Sequence, residues 1–154
     1  MCSSDLADRS QIAAVSHYAR DPYSSSIAQI AATLPITYES AEEVIALSPD
    51  LVMTSRHSAL QTRNALRRLG IQTELFDVPS TVEASKAQVL RIAGLVGHPE
   101  RGAELVARID AAIDAAKPPA DASPISAVLL EPNGFTVGAG TLTDEMFRRT
   151  GFTN

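Results

Sequence analysis

The hydrophobic pattern of residues 41–55 predicts a helix that is followed at once by a buried strand. Val44, Ile45 and Leu47 fall at helical spacing behind two glutamates, and a proline ends the helix. The apolar run at residues 51–53 is too short for a helix and does not alternate, which is typical of a parallel strand covered on both faces. Ligands of open α/β sheets lie beyond the carboxyl ends of the strands. The polar residues after this strand are therefore the first candidates for a binding site.

The rest of the chain alternates short apolar runs with helical patterns, which indicates an α/β protein. The predicted strands are residues 11–16, 51–53, 72–77 and 126–130. The predicted helices are residues 2–9, 42–47, 60–69, 82–96, 100–117 and 142–150, with a further helix through Ile27, Ile30 and Leu34. We predict a three-layer α/β/α lobe with a mainly parallel sheet, a long connecting helix, and the first strand and helix of a second, incomplete lobe.

Composition narrows the classes of partner. The chain has 154 residues, of which 45% are hydrophobic, and 13 basic against 18 acidic residues give a net charge of -5. This balance argues against a nucleic-acid groove and against an electrostatic membrane anchor, since both normally need a basic surface. Cys2 is the only cysteine, which excludes an internal disulfide. Small molecules or other proteins remain as partners.

The candidate ligand-binding residues follow predicted strands. They are Tyr18, Ser55, Arg56, His57, Phe135 and Thr136. An aromatic ring there can stack on a ligand and an arginine can bind an anionic group, although covering the core edge and carrying surface charge are the ordinary roles of such residues. We expect the loops at residues 16–23, 55–57, 77–80 and 133–136 to lie on one edge of the structure.

Motifs for catalysis are missing from the sequence. It contains no Walker A loop, HExxH, CxxC or G-x-S-x-G, so no catalytic residue and no cofactor is predicted. The histidines show no local metal-binding spacing. His17 and His57 nevertheless lie on strand-end loops, which leaves a bare-metal site open as an alternative that would need added carboxylates.

Five stretches resemble one family of transport proteins. Residues 42–53, EEVIALSPDLVM, resemble the helix-strand signature of the substrate-binding proteins of ABC importers for ferric siderophores, haem and cobalamin. The other four stretches are VSHYARDP at 15–22, LRRLGIQTELFDVPS at 66–80, the paired helices up to residue 117, and GFTVGAGTLTDEMFRRTGFTN at 134–154. Together they cover nearly the whole chain in the family's order.

The resemblance implies two α/β lobes joined by one long helix, with the ligand in the cleft between them. Residues 1–97 would be the amino-terminal lobe, 98–117 the connecting helix, 118–124 a linker, and 125–154 the start of the other lobe. The chain is then expected to be truncated at both ends. The implied function is a non-enzymatic periplasmic receptor for an iron-siderophore, haem or cobalamin complex. A binding protein for a bare metal ion and a small α/β enzyme domain are the alternatives.

Two partner surfaces are also predicted. The resemblance implies that Glu42 or Glu43 contacts the inner-membrane ABC permease, while stabilisation of the helix end is the ordinary role of such glutamates. The apolar strand at residues 126–130 would lack its own lobe, so it is expected to fray or to pair with another chain.

Overall fold

The computed structural model describes residues 6–131 and 134–154, which form two compact units. The first unit comprises the chain up to Val78 together with Val96–His98, and the second comprises Pro79–Leu95 and Pro99–Asn154. This grouping differs from the division expected from sequence, which placed residues 79–95 in the amino-terminal lobe and the boundary at 118–124. The assignment of the four segments to lobes, connecting helix and linker stays a prediction.

The first unit contains four short strands in two parallel pairs. Its elements are a 3-10 helix at Arg9–Gln11, β1 Val15–Ser16, a 3-10 helix at His17–Arg20, α1 Ala28–Ala31, β2 Ile36–Thr37, α2 Ala41–Ala46, β3 Leu51–Ser55, α3 Leu60–Arg68 and β4 Gln72–Phe76. β1 pairs with β2, and β3 pairs with β4. Both pairs are parallel, so each places two strand ends at a common edge.

Local chemistry explains where α2 begins and where α3 ends. The Ser40 side chain accepts a hydrogen bond from the Glu43 N–H, which caps the start of α2. The chain leaves α3 at Gly70, whose φ of +72° is a conformation that glycine adopts without a steric penalty. Leu34 and Leu66 are almost completely buried and form the centre of this unit.

The second unit is built on two long helices. Its elements are α4 Val82–Leu95, α5 Pro99–Ala115, β5 Ile125–Ser126, α6 Leu142–Arg149 and β6 Phe152–Thr153. α4 packs on α5, with Val89 and Ala93 fully buried. Lys86 on α4 links the two helices through Asp110, at 2.8 Å between Nζ and Oδ1.

The first turn of α6 carries two acidic side chains, Asp144 and Glu145, that accept hydrogen bonds from backbone amides. Thr141 caps the helix, and the Asp144 carboxylate accepts a hydrogen bond of 3.0 Å from the Gly140 N–H. That bond, together with nearby Arg148, holds the pKa of Asp144 below its usual range. Glu145 accepts from the Val82 N–H at 2.7 Å, so α6 satisfies an amide at the beginning of α4.

The α/β class and the parallel pairing are confirmed, and several boundaries are corrected. The predicted strand 11–16 is only Val15–Ser16, because Gln11 ends a 3-10 helix and residues 12–14 form neither helix nor strand. The helix through Ile30 is a single turn, and residues 2–5 of the predicted helix 2–9 lie outside the described residues. β2 and β6 were not predicted. A single sheet was expected. In the part of the chain that the structure describes, the strands instead form three separate two-stranded pairs.

The strand predicted at 126–130 is also shorter than expected. β5 is Ile125–Ser126 and pairs with β6 of the same chain. Beyond it, Val128 and Leu130 are exposed, and Leu130 forms a single antiparallel bridge with Thr136. Association with a second chain through this segment stays a prediction. Among the described residues, no helix is both long and apolar enough to cross a membrane.

Candidate functional site

The carboxyl ends of β3 and β4 bring two predicted site loops together. Ser55 and Phe76 are register partners at the last position of the pair. The next residues, Arg56 and Asp77, form an ion pair of 2.7 Å between Nε and Oδ2, and both side chains are more than half exposed. This edge therefore presents a guanidinium group whose direction is set by a neighbouring carboxylate.

The serine and histidine of the same loop form a tight turn. The Ser55 Oγ accepts a hydrogen bond of 3.0 Å from the His57 N–H, and the Ser58 hydroxyl donates to the Ser55 carbonyl oxygen at 2.7 Å. Ser55, Arg56 and His57 are all exposed. The turn thus holds three polar side chains at the end of β3.

The carboxyl ends of β1 and β2 carry a group of rings that we call the aromatic cluster: His17, Tyr18 and Tyr38. The strands are in register from Val15 opposite Ile36 to Ser16 opposite Thr37, so the residues that follow them emerge side by side. The His17 ring lies 4.0 Å from that of Tyr18 and 5.0 Å from that of Tyr38, measured between centroids, with the second pair stacked at 28°. Tyr18 is 61% exposed and Tyr38 is 67% exposed.

The Glu43 side chain binds the residues at the end of β2. Its carboxylate Oε2 accepts hydrogen bonds from the Thr37 hydroxyl at 3.0 Å and from the Tyr38 N–H at 2.9 Å. These donors, with Thr37 making the largest contribution, lower the pKa of Glu43 from its ordinary value. The carboxylate therefore stays ionised at neutral pH and acts as an acceptor for the turn that carries Tyr38.

Comparison with known proteins gives the family. The model of the periplasmic binding protein family matches residues 4–154. The chain belongs to this family. Its members are binding proteins and not enzymes, which confirms the expectation of a transport protein over a small enzyme domain. No curated protein gives a significant match.

Three solved structures of similar fold are binding proteins for haem or vitamin B12. The haem-binding protein BhuT, in complex with two haems, shares 27% identity with a TM-score of 0.68, over 87% of this chain and 55% of BhuT. The haem-binding protein HutB of Vibrio cholerae shares 22% identity with a TM-score of 0.75, over 95% and 58%. The vitamin B12-binding protein BtuF of Vibrio cholerae shares 21% identity with a TM-score of 0.61, over 92% and 56%. The chain spans about half the length of these relatives.

The remaining predicted site residues of this periplasmic binding protein lie in its second unit. Phe135 and Thr136 are both exposed, and the Phe135 carbonyl oxygen accepts a hydrogen bond of 2.8 Å from the Glu131 N–H. Residue 133 of the predicted loop lies outside the described residues. A common edge for all four predicted loops stays a prediction.

The two glutamates proposed for permease docking differ in their surroundings. Glu42 is exposed on α2, whereas the Glu43 carboxylate is turned toward Thr37 and Tyr38. The expected buried face of the helix is also narrower than predicted. Val44 is buried, but Ile45 and Leu47 are 36% and 40% exposed, because α2 is less than two turns long and only one of its apolar positions reaches the core.

The histidines of this binding protein do not form a recognisable metal centre. In residues 6–131 and 134–154, no three His, Cys, Asp or Glu side chains converge on a common position. The Nδ1 atom of His17 is buried and has no hydrogen-bond partner among these residues. The His17 side chain at the end of β1 therefore has a polar atom without a hydrogen bond, and it lies beside two tyrosines.

Sequence reasoning missed Tyr38, which completes the aromatic cluster. The available signal was a pair of β-branched-type residues, Ile36 and Thr37, between a proline and the Ser40 cap. Two residues are too few for a periodicity argument, so β2 was not predicted, and without β2 there was no reason to place Tyr38 at a strand end.

Proposed function

We propose that this protein captures haem in the periplasm and delivers it to an ABC permease of the inner membrane. The observation that carries the proposal is the aromatic cluster, in which two exposed tyrosines flank a histidine at the carboxyl edge of β1 and β2. Exposed rings at such an edge are suited to a flat, apolar ligand, since stacking buries both surfaces. The similarity to the haem-binding proteins BhuT and HutB supports the same class of ligand.

The cluster and the Arg56 turn together offer the chemistry that haem requires. Haem iron is held in proteins by imidazole, thiolate, thioether or phenolate groups, and His17, Tyr18 and Tyr38 supply two of these types. Haem also carries carboxylates, for which a guanidinium group is the preferred partner. Arg56 is the candidate for that contact, with Ser55 and His57 as neighbouring polar groups.

The Arg56–Asp77 ion pair does not prevent this role. Both side chains are more than half exposed, and exposed ion pairs contribute little because water screens them. Exchange of the Asp77 carboxylate for a ligand carboxylate is therefore inexpensive. Before the ligand binds, Asp77 limits the rotamers of Arg56, which reduces the side-chain entropy that is lost on binding.

Binding of haemin is the direct test. We expect haemin to bind the protein with a dissociation constant of roughly 1 μM or tighter, seen as a shifted Soret band on titration. Cyanocobalamin, a ferric siderophore, zinc and manganese are titrated in parallel, and we expect weaker binding from each. Tight binding of cyanocobalamin or a siderophore in place of haemin would reassign the ligand, and binding of only the bare metals would contradict a chelate receptor.

For the permease contact, the structure favours Glu42 over Glu43. Glu42 is exposed at the start of α2, while hydrogen bonds from Thr37 and Tyr38 already occupy the Glu43 carboxylate. Exposed charges at an interface rim mainly govern orientation and the rate of association. We therefore propose that Glu42 contributes to docking and that Glu43 does not.

Charge reversal at Glu42 tests this assignment. We expect Glu42→Lys to lower haem uptake through the permease by about tenfold at low ionic strength, with the difference shrinking as salt rises. Haemin affinity should stay unchanged, and thermal stability should fall only slightly, because a lysine in the first turn of α2 opposes the helix dipole. Glu104→Lys, the same reversal at an exposed position of α5, is the matched control. Normal uptake by Glu42→Lys would return this glutamate to helix stabilisation alone.

A further inference from the structure

We propose that Glu43 is a positioning residue for ligand binding, because its carboxylate holds the turn that presents the Tyr38 ring to His17. The consequence for affinity rests on the proposed haem-binding function, whereas the consequence for ring placement does not. Glu43 itself is not expected to touch the ligand. Its role is to keep the aromatic cluster assembled before the ligand arrives.

Two hydrogen bonds join the Glu43 carboxylate to the segment before α2, and a third extends this network to Glu39. One oxygen of its carboxylate accepts from the Thr37 hydroxyl at 3.0 Å and from the Tyr38 N–H at 2.9 Å. The Thr37 oxygen in turn accepts from the Glu39 N–H at 3.0 Å. The carboxylate thus fixes the residue before Tyr38, the Tyr38 amide itself and, through Thr37, the residue after it.

The backbone of this turn needs such support. Glu39 has a φ of +67°, which is uncommon for a residue with a side chain and persists where surrounding contacts over-determine it. The Glu39 carbonyl oxygen accepts from the Thr62 hydroxyl at 3.3 Å, and Ser40 caps α2 by accepting from the Glu43 N–H at 3.2 Å. Glu43 is therefore engaged through both its backbone and its side chain.

Ring placement follows from these contacts. Tyr38 is 67% exposed and its ring stacks on His17 at 5.0 Å, so few packing contacts hold it in place. A largely exposed ring depends on its own backbone for its position, and that backbone is what Glu43 binds. Loss of the carboxylate should let Tyr38 sample other orientations, which a ligand would then have to restrict at a cost in affinity.

The experiment compares Glu43→Ala with Glu43→Gln and with Glu42→Ala in the full chain. We expect Glu43→Ala to weaken haemin binding by about tenfold. Glu43→Gln keeps an acceptor oxygen and should retain most of the affinity, and Glu42→Ala should bind as the wild type does. In the protein without haemin, the nuclear Overhauser contact between the His17 and Tyr38 rings should weaken in Glu43→Ala only.

The outcomes separate the two proposals. Wild-type affinity and an intact ring contact in Glu43→Ala would overturn the positioning role. If the wild type binds no haemin, the proposed function fails, and the ring contact alone decides the role of Glu43.

If Glu43→Ala does not fold, Thr37→Val removes one partner of the carboxylate at nearly constant volume. Thr37→Val should then weaken both readouts by about threefold, and no change in either would count against the proposal.

Discussion

Replacement of Tyr38 with alanine is expected to weaken haemin binding by about one hundredfold. The ring is exposed at the end of β2 and stacks on His17, so it is available to cover one face of a flat ligand. Burial of an aromatic side chain against a ligand is worth about 1.5–3 kcal/mol, and each 1.4 kcal/mol is a factor of ten in affinity. The measurement is a haemin titration followed in the Soret band.

One further variant tests the hydroxyl group of Tyr38, and a second variant, at Tyr23, serves as the control. Tyr38→Phe keeps the ring and removes the hydroxyl, so a large loss in this variant would indicate ligation or hydrogen bonding, and a small loss would indicate stacking. Tyr23→Ala is the matched control, because Tyr23 belongs to the loop after β1 and is 96% exposed. Equal losses in Tyr38→Ala and Tyr23→Ala would contradict a specific role for the aromatic cluster.

Gly102→Val is expected to destabilise the second unit by about 3 kcal/mol. α4 and α5 approach each other closely at this glycine, and a Cβ added there would lie 2.5 Å from the Cβ of Ala93. That atom belongs to a fully buried residue and cannot rotate away, so the helices must separate. The free energy of unfolding, measured by urea denaturation, should fall by this amount relative to the wild type.

Gly94→Val provides the control for the helix-propensity part of this change. Gly94 is the second-last residue of α4, is exposed, and has no atom within 4 Å of an added Cβ. Valine has a somewhat higher helix propensity than glycine, so Gly94→Val should be neutral or slightly stabilising, by a few tenths of a kcal/mol. If Gly102→Val were as stable as Gly94→Val, the close packing of α4 on α5 would be contradicted.

The long helices and the aromatic cluster differ in how much of the sequence specifies them. The two long helices α4 and α5 were predicted because fifteen or so residues of regular apolar spacing average out local ambiguity. The unit from α2 to β3 was predicted for a related reason, since the two glutamates at the helix start, the proline that ends the helix and the apolar run at 51–53 agree with one another. The family followed from the same stretch, because its signature lies in contiguous residues.

The sequence by itself determined the α/β class, the long helices, β3 and β4, and the family. The tertiary structure alone decided the aromatic cluster and the hydrogen bonds of the Glu43 carboxylate. Between His17 and Tyr38 lie α1 and β2, and the two rings meet because β1, which directly precedes His17, pairs with β2, which directly precedes Tyr38. A pairing of two-residue strands leaves no periodic pattern in the sequence, since it depends on contacts between distant segments. Likewise, nothing in the composition of residues 37–43 distinguishes a Glu43 that faces solvent from one that accepts two hydrogen bonds from the preceding turn.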